Sequence, residues 1–517
     1  MTEGLLSCRR LITFDSTCQG DAIWWEHGAI RMVGDGLELE RRVPSRVPRY
    51  HLPTALVTPG LVDGHTHFGM WAMQRARVDL AGARTLSEAL RRVRLGQADQ
   101  GWVRGHGWDA NHWADPPDRR ALDAATEVPA FLESIDVHAA WVNTAGLAVA
   151  GVTRQTPDPP GGRIVRDPAG EPTGILLERA QELVRPHLPR PRPDELRARM
   201  REAQAAAHRF GITGLHDVEG PEVLRGFRAM ELADELRLRV LFHPPVERLS
   251  TLIRHRAMSG QGTPWLMLGG VKLFLDGTLG SRTAWMLAPY EDGGDSGLPL
   301  TSEAVAREAV TRAAEAGLAV AVHAIGDAAV RRALDLLAPL PRTALPHRIE
   351  HLQCIDPADL TRAAQSGIVA SMQPAHLLGD APLAEARWGS RSRGAYLFKS
   401  LLRAGTVLAL GSDVPVTTPD PRVGIAAAMG RVPVERATPW FPEERLRFDE
   451  ALRAYTLGNA LAGGVAGRRG RLVAGADADL VAWDVDPAVE DGVGRAMLEA
   501  RVLLTVVGGE VVFGPLS

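Results

Sequence analysis

Two histidines one residue apart, His65 and His67, stand in the segment PGLVDGHTHF at the end of an apolar run. Residues i and i+2 of a β-strand face the same side, so both imidazoles can reach one metal ion. His323 ends the apolar segment LAVAVH, His351 ends the segment RIEH that continues the strand pattern, and Asp413 follows in LALGSD. Imidazole and carboxylate suit zinc and related divalent metals. A single histidine at a strand end more often has a structural role, but the combined pattern predicts a metal site.

Lys272 is one of only two lysines in the chain, the other being Lys399, among 59 Lys and Arg residues. The segment VKLFL places Lys272 inside an apolar strand, where a charged ammonium is costly to bury. Two interpretations are open. Lys272 is either a buried lysine, neutral or paired with an acid such as Asp276, or its amine reacts with carbon dioxide to form a carbamate that bridges two metal ions. Arginine cannot replace it in the second case, because only a primary amine forms this carbamate readily.

The elements that must position these side chains alternate between strand-like and helix-like segments. Capping residues such as Asp194, Ser302 and Asp356 start helices between the strands, and glycines end them. Eight strands alternating with helices favour a (β/α)8 barrel, whose sites lie at the carboxyl ends of the strands, over an open doubly wound sheet. We predict these strands at 56–63, 213–217, 238–243, 271–275, 318–323, 348–351, 368–372 and 407–410.

Three regions follow from this count of strands. Residues 1–55 and 465–517 contain short apolar stretches separated by turn residues, and we expect them to pair as one small β-module. The catalytic barrel takes residues 56–69 and 196–464. Residues 70–195 are too many for a loop and contain five of the twelve tryptophans, so they are predicted to form an inserted domain that caps the substrate site over the barrel mouth.

Composition excludes several classes of protein. A net charge of −3 over 517 residues gives no basic footprint for nucleic acid or an anionic membrane surface. The sequence has no run of about 18 apolar residues, so it predicts no membrane span. The segment MTEGLLSCRRLITFD does not resemble a secretion signal. The three cysteines, Cys8, Cys18 and Cys354, are predicted to be free thiols in a reducing cytoplasm.

Several long segments resemble the amidohydrolase superfamily, and within it the family-3 branch, which contains N-substituted formamide deformylases and many uncharacterised metal-dependent hydrolases. The resemblance covers nearly the whole chain. It implies an α/β fold: a (β/α)8 metal-dependent hydrolase barrel, a composite β-sandwich from both termini and an inserted domain after strand one. The matching segments are PGLVDGHTHF, GGRIVRDPAGEPTGILLE, VKLFLDGTLGSRTAWMLAPYED, VHAIGD, RIEHLQ, LGSDVPV and GRLVAGADADLVAWD.

The resemblance also implies roles for the six metal-site candidates. His65 and His67 would hold the more buried metal with Asp413. His323 and His351 would hold the other, and carboxylated Lys272 would bridge the two. One or two divalent ions are expected, zinc first, with iron or manganese as alternatives and carbon dioxide as the source of the carbamate.

The chemistry that follows is hydrolysis of a small molecule at a non-peptide C–N bond, in an amide or an N-substituted formamide. Hydroxide bound to the metal would attack the carbonyl carbon, and Asp413 would act as general base and then as general acid. Deamination of a cyclic amidine or heterocycle is a rival within the same class. A non-catalytic scaffold is a rival from another class, but scaffolds usually lose ligands and here all six positions are filled. The family also suggests a homodimer.

Further residues are candidates for substrate contact, although each could equally have a structural role in a lid. His138 and Asn143 lie in SIDVHAAWVN, and Trp108 and Asp109 lie in GHGWDANHW. Arg282 follows the turn TLGS and could bind a carboxylate or a carbonyl oxygen. His216, at the end of strand two, is expected to line the same pocket.

Overall fold

The computed structural model describes residues 2–111, 113–434, 436–486 and 494–514. Within these ranges, none of the helices combines the length and apolar character needed to cross a membrane. Cys8, Cys18 and Cys354 are free thiols, as the sequence predicts.

Strands from both ends of the chain share one sheet, which we call the terminal sheet. Arg49–Pro59 pairs antiparallel with Leu480–Trp483, so the two ends meet at the centre of this sheet. Val502–Val507 and Glu510–Phe513 form the hairpin that the intervening Gly508-Gly509 favours. The strand order is Glu510–Phe513, Val502–Val507, Leu480–Trp483, Arg49–Pro59, Gly4–Leu11, Ala22–Glu26 and Ala29–Gly34.

Two parallel sheets carry the predicted metal-site residues. Most of their strands are buried along nearly their whole length, as expected for parallel strands covered on both faces. Isolated parallel bridges join the two sheets at both sides, Pro245 with Lys272 and Thr66 with Val414. One sheet has the order Leu266–Leu268, Arg239–His243, Ile212–Val218 and Leu61–Thr66. The other has the order Val271–Phe274, Val320–Ala324, Arg348–His351, Val369–Met372 and Val407–Leu410.

The first predicted strand, 56–63, is not a single element. The chain leaves the terminal sheet at Pro59 and enters the parallel sheet at Leu61. Gly60 makes this transition: its amide donates to the Asp479 carbonyl at 2.9 Å. A Cβ at this position would come within 2.3 Å of Thr213 Oγ1. Hydrophobic periodicity cannot reveal the break, because both strands are apolar where they meet.

Helices connect the parallel strands. Ser302 is the N-cap of its helix, and the Asp356 carboxylate accepts from the Ala358 amide at the start of a 3-10 turn. Arg192 rather than Asp194 is the N-cap of Pro193–Arg209, because Pro193 takes the first helical position and puts Asp194 in the first turn. The helices are Gly36–Arg42, Phe68–Gln74, Leu86–Leu95, Arg119–Asp123, Thr144–Val149, Pro193–Arg209, Pro221–Leu232, Leu249–Arg254, Glu303–Glu315, Asp327–Leu337, Leu360–Gln365, Leu377–Trp388, Phe398–Arg403, Pro421–Gly430, Phe448–Arg453, Asn459–Ala462 and Arg495–Glu499.

A fourth sheet falls inside the segment 70–195. Its hydrophobic core includes Trp108, Trp113 and Trp141, whose ring centroids lie 6.2 to 6.5 Å apart. These indoles therefore pack against one another within a larger apolar cluster. The strand order is Gly162–Arg166, Pro172–Glu178, Ala139–Val142, Ala130–Ser134, Val103–Trp108 and Val78–Asp79.

Candidate active site

A cavity of about 480 Å³ opens where the carboxyl ends of the parallel strands meet the segment 70–195. All six predicted metal-site residues line it, and so do four of the six predicted substrate contacts, Trp108, Asp109, His138 and Arg282. The other two, Asn143 and His216, do not line it. The predicted metal-site residues in the lining are His65, His67, Lys272, His323, His351 and Asp413.

The Asp413 carboxylate lies between two pairs of histidines. Its Oδ1 atom is 3.5 Å from His65 Nε2 and 3.3 Å from His67 Nε2. Its Oδ2 atom is 3.9 Å from His351 Nδ1 and 3.8 Å from His376 Nε2. Each carboxylate oxygen thus faces its own pair of imidazoles.

Hydrogen bonds fix the tautomers of the first pair. His65 Nδ1 donates to Glu350 Oε2 at 2.6 Å, and His67 Nδ1 donates to the Val218 carbonyl at 2.7 Å. Both Nε2 lone pairs are therefore available in the cavity, the orientation that metal-binding histidines need. Within the described ranges, the buried atoms His65 Nε2 and Asp413 Oδ1 have no hydrogen-bond partner. These unpaired donor atoms fit a divalent metal.

Two residues of this group have strained backbones. His351 has φ 72° and Asp413 has φ 60°, in the left-handed region that side chains other than glycine rarely adopt. Such conformations cost about 1–3 kcal/mol each and concentrate at functional sites. Both residues line the cavity with this backbone conformation.

A buried ionic network lies directly beneath His65. Arg348 donates to Glu350 Oε1 at 2.5 Å, to the Gly64 carbonyl at 2.6 Å and to Ser371 Oγ at 2.7 Å. It also donates to His216 Nδ1 at 2.7 Å. His216 is therefore a partner of Arg348 under the cavity floor, and this explains why it does not line the cavity.

The electrostatics of the site follow from burial and from these contacts. Burial favours the neutral imidazole and lowers the pKa of His65 to about 4. Burial opposes ionisation of Asp413, but His65, His67 and His351 hold its pKa well below the usual range. Burial likewise lowers the pKa of Lys272 to about 8. A neutral His65 imidazole thus lies beside an ionised Asp413 carboxylate.

Lys272 has no ion pair with Asp276 among the residues that the structure describes. The Asp276 carboxylate instead accepts from the backbone amides of Trp285, Ile325 and Gly326 at 2.8 to 3.0 Å. Lys272 Nζ is buried, has no hydrogen-bond partner in the same ranges and lies 4.7 Å from the centroid of the Phe274 ring. The interpretation of Lys272 as the partner of Asp276 is therefore wrong.

His323 is oriented by the loop that follows Lys272. Its Nε2 atom donates to the Gly277 carbonyl at 3.1 Å and lies 3.5 Å from Asp276 Oδ1. Only its Nδ1 lone pair is free to act as a ligand. His323 belongs to neither of the two groups of potential metal ligands found in the described part of the chain.

The cavity wall from segment 70–195 contains His138, whose Nδ1 donates to Glu178 Oε2 at 2.7 Å. Burial opposes its protonation, but Glu178 and Asp136 raise the pKa of His138 to about 9. Thr278 and Ser281 donate to Asp136 Oδ2 at 2.8 and 3.0 Å. The bonds to Asp136 connect the segment 70–195 to the loop after Lys272. The raised pKa of His138 places a cationic imidazole at the cavity wall.

The remaining predicted contacts have partners of their own. Trp108 donates its indole N–H to the Leu132 carbonyl at 2.8 Å, and Arg282 forms an ion pair with Asp292 at 2.5 Å. Asp109 accepts from the Asn111 amide at 2.9 Å. Asn143 Oδ1 accepts from the Gly146 amide and caps the helix Thr144–Val149. Asn143 therefore has a structural role away from the cavity.

His376 is a cavity residue that the sequence interpretation missed. It ends the 3-10 turn Pro374–His376, which follows the strand Val369–Met372. The other metal-site candidates lie within a strand or at most three residues beyond its end, whereas His376 lies four residues beyond the end of its strand. A wider search after each strand would have found it.

The cavity has donor atoms suited to a divalent metal. They lie at the carboxyl ends of parallel strands, an arrangement typical of metal-dependent hydrolases. The model of the amidohydrolase family, Amidohydro_3, matches residues 54–513. The chain belongs to this family, as the motifs of the sequence indicate.

Relatives span nearly the whole chain. Protein LONG AFTER FAR-RED 3 of Arabidopsis thaliana is 32% identical over 97% of this chain and 90% of its own length. An N-substituted formamide deformylase of Arthrobacter pascens is 28% identical over 97% of this chain and 96% of its own. An uncharacterized metal-dependent hydrolase of Pyrococcus horikoshii superposes with a TM-score of 0.78 at 27% identity, covering 95% of this chain and 99% of that one.

Proposed function

We propose that this protein hydrolyses a non-peptide C–N bond of a small molecule, in an amide or an N-substituted formamide. The observation that carries the proposal is the convergence of His65 Nε2, His67 Nε2 and Asp413 Oδ1 in one cavity. Membership of the amidohydrolase family supports it. The similarity to an N-substituted formamide deformylase supports the choice of bond.

The architecture we propose is a (β/α)8 barrel made from the two parallel sheets. The bridges from Pro245 to Lys272 and from Thr66 to Val414 support closure, because they connect the sheets at both sides. The terminal sheet would belong to the composite β-sandwich, and the segment 70–195 would cap the barrel mouth. This arrangement places the cavity where barrel enzymes have their active sites.

The residues that would hold the metal are His65, His67 and Asp413, which together form one group of potential ligands. Zinc suits this donor set best, and iron or manganese are compatible with it. When bound, the metal supplies Lewis acidity, which polarises a carbonyl and makes water a nucleophile near neutral pH. Lys272 is proposed to take up carbon dioxide as a carbamate, because its amine is primary, buried and without a hydrogen-bond partner among the described residues.

Asp413 is the group in the cavity that would move the proton. Its carboxylate stays ionised because His65, His67 and His351 hold its pKa well below the usual range. An ionised carboxylate oxygen of Asp413 would accept a proton from the attacking water and return it to the nitrogen that leaves. The mobile proton is held on a carboxylate oxygen between the two steps.

The walls of the cavity would bind the rest of the substrate. Trp108, Leu177, Phe274 and Leu383 supply apolar surface, which favours a substrate with an apolar substituent on nitrogen or on the acyl group. His138 presents a cationic imidazole that can donate to an oxygen of the substrate. Removal of His138 would then raise KM more than it lowers kcat.

The test is a screen of N-formyl and N-acyl amines with mass detection, using protein loaded with zinc or manganese. We expect release of a free amine together with formate or another carboxylic acid, and release at least about 100-fold slower by Asp413→Asn. Ammonia released from a cyclic amidine, with no hydrolysis of any amide, would instead identify a deaminase. A fully metal-loaded protein that turns over neither class would contradict the proposed function.

A further inference from the structure

We infer that Asp380 binds a protonated amine of the substrate, so that the preferred substrates carry a second, basic nitrogen besides the C–N bond that is cleaved. This inference deepens the proposed function and rests on it, because Asp380 lines the same cavity. Asp380 belongs to the helix Leu377–Trp388, which forms part of the cavity wall.

One oxygen of Asp380 is held by two buried donors. Gln353 Nε2 donates to Asp380 Oδ2 at 2.9 Å, and the Tyr396 hydroxyl donates to the same oxygen at 2.6 Å. Gln353 and Tyr396 are each only 2% exposed. The backbone of Tyr396 has φ 54°, in the left-handed region that side chains other than glycine rarely adopt. These contacts fix the orientation of the carboxyl group at the cavity wall.

The other oxygen of Asp380 has no such donor. Among the described residues, no hydrogen bond reaches Asp380 Oδ1, and Asp380 forms no ion pair. Burial raises the pKa of Asp380, although His376 lowers it, and the charge of Asp136 adds to the rise. A carboxylate removed from water is costly unless a cation accompanies it. A cationic group of a ligand would supply this partner.

The other acidic residues of the cavity wall, apart from the proposed metal ligand, have partners already. Asp136 uses both of its oxygens, Oδ1 for the Ser134 hydroxyl and Oδ2 for the Thr278 hydroxyl. Asp109 has a guanidinium in its surroundings: burial lowers the pKa of Arg387, and the charge of Asp109 opposes this effect. Neither carboxylate therefore needs a ligand cation as its partner.

Asp380 and His138 together would orient the substrate. His138 carries a cationic imidazole, which suits an oxygen of the ligand, and Asp380 carries a carboxylate oxygen, which suits an ammonium group. Trp108 and Phe274 supply apolar surface in the same cavity. A molecule with an apolar body and an ammonium end matches this distribution, whereas a neutral end group would leave Asp380 Oδ1 without its partner.

The test measures binding without hydrolysis. Protein loaded with zinc is titrated by calorimetry near pH 7 with 2-phenylethylammonium and with 2-phenylethanol. The two probes share an aromatic body and differ in the charge of the end group. We expect the ammonium to bind at least about 10-fold more tightly than the alcohol, because a charge-assisted hydrogen bond is stronger than a neutral one.

Asp380→Asn should lose this preference and bind the two probes with similar affinity. Its amide oxygen can still accept from Gln353 and Tyr396, but it carries no charge. Asp449→Asn, the same change at an exposed position, is the matched control and should keep the preference. Thermal denaturation checks that Asp380→Asn folds, and Asp380→Ser replaces it if it does not.

Three results would overturn the inference. The first is an unchanged chain that binds both probes equally or binds neither. The second is a preference that persists in the folded Asp380 variant, which would indicate that the metal coordinates the amine. The third is loss of the preference in Asp109→Asn but not in Asp380→Asn, which would assign the ammonium to Asp109.

The two proposals can fail separately, because neither probe contains an amide. A negative hydrolysis screen leaves the comparison of the two probes interpretable. Hydrolysis of amides by a protein that shows no preference for the ammonium would contradict the role of Asp380 alone.

Discussion

Glu350 holds His65 through a hydrogen bond of 2.6 Å between Oε2 and Nδ1, and both side chains are almost completely buried. Arg348 balances the charge of Glu350 from below at 2.5 Å. Carboxylate, imidazole and metal site are thus aligned, and the carboxylate fixes both the ring orientation and the tautomer of His65. Glu350 is a positioning residue, because it acts through His65.

The first prediction concerns this contact. Glu350→Asp keeps the charge beside Arg348 but withdraws the carboxylate from His65, so metal affinity should fall about 10–100-fold while the fold persists. Glu350→Gln should also unfold at a lower temperature, because it leaves Arg348 as a buried charge without its partner. Metal titration and thermal denaturation measure the two effects. Glu308→Gln, which changes an exposed ion pair, is the control. Unchanged metal affinity in Glu350→Asp would refute the positioning role.

The second prediction separates binding from proton transfer at Asp413. The amide of Asp413→Asn can still occupy the same space but cannot accept a proton, so kcat should fall about 10²–10⁴-fold. Metal content must be measured in the same preparations, because Asp413 is also a proposed ligand. Asp449→Asn, an exposed change far from the cavity, should retain the activity of the unchanged chain. Full turnover by metal-loaded Asp413→Asn would exclude the proton-transfer role.

Short apolar runs located most of the parallel strands, because a strand buried on both faces has a distinct composition. The predicted bounds 348–351 and 407–410 coincide with Arg348–His351 and Val407–Leu410. The division of 56–63 at Gly60 could not be predicted from hydrophobicity, since both sides of the break are apolar. It depends on the close approach of Thr213 from another strand.

The site was predictable to the extent that it lies at strand ends. His65, His67, His351 and Asp413 converge because they lie at or just beyond the carboxyl ends of strands in the two parallel sheets. His376 was not predicted because the turn Pro374–His376 separates it from the strand Val369–Met372. Asn143 was misleading for another reason: a polar residue in a buried segment can be a helix cap as readily as a ligand contact.

The third prediction concerns stability and pH at the contact between the terminal sheet and the parallel strands. Asp477 accepts from Arg468 at 2.6 Å and from Arg469 at 2.7 Å. Burial opposes its ionisation, but Arg469 and Arg239 lower its pKa below the usual value. A lowered folded-state pKa adds stability that is present above about pH 3.9 and is lost as the pH falls through the folded pKa.

Asp477→Asn should therefore reduce the free energy of unfolding near pH 7 by about 1.5–3 kcal/mol, the contribution of a charge-assisted hydrogen bond. Denaturant titrations of the variant and the unchanged chain should give a smaller difference at pH 3 than at pH 7. Asp234→Asn, which removes a highly exposed partner of Arg237, should change stability by less than about 1 kcal/mol at either pH. A difference independent of pH would show that the charge of Asp477 does not stabilise the contact.

The fourth prediction compares the two lysines of the chain. Lys272→Arg cannot form a carbamate and should lose most activity, whereas Lys399→Arg should change little, because a guanidinium can replace the Lys399 ion pair with Glu450. Carbon-13 NMR after incubation with labelled bicarbonate should show a carbamate signal in the unchanged chain and in Lys399→Arg but not in Lys272→Arg. Since a buried guanidinium could also disturb packing, Lys272→Ala with added short-chain carboxylate gives a second test, in which partial recovery of activity is expected. Persistence of the signal in both Lys272 variants, or its absence from the unchanged chain, would exclude carboxylation of Lys272.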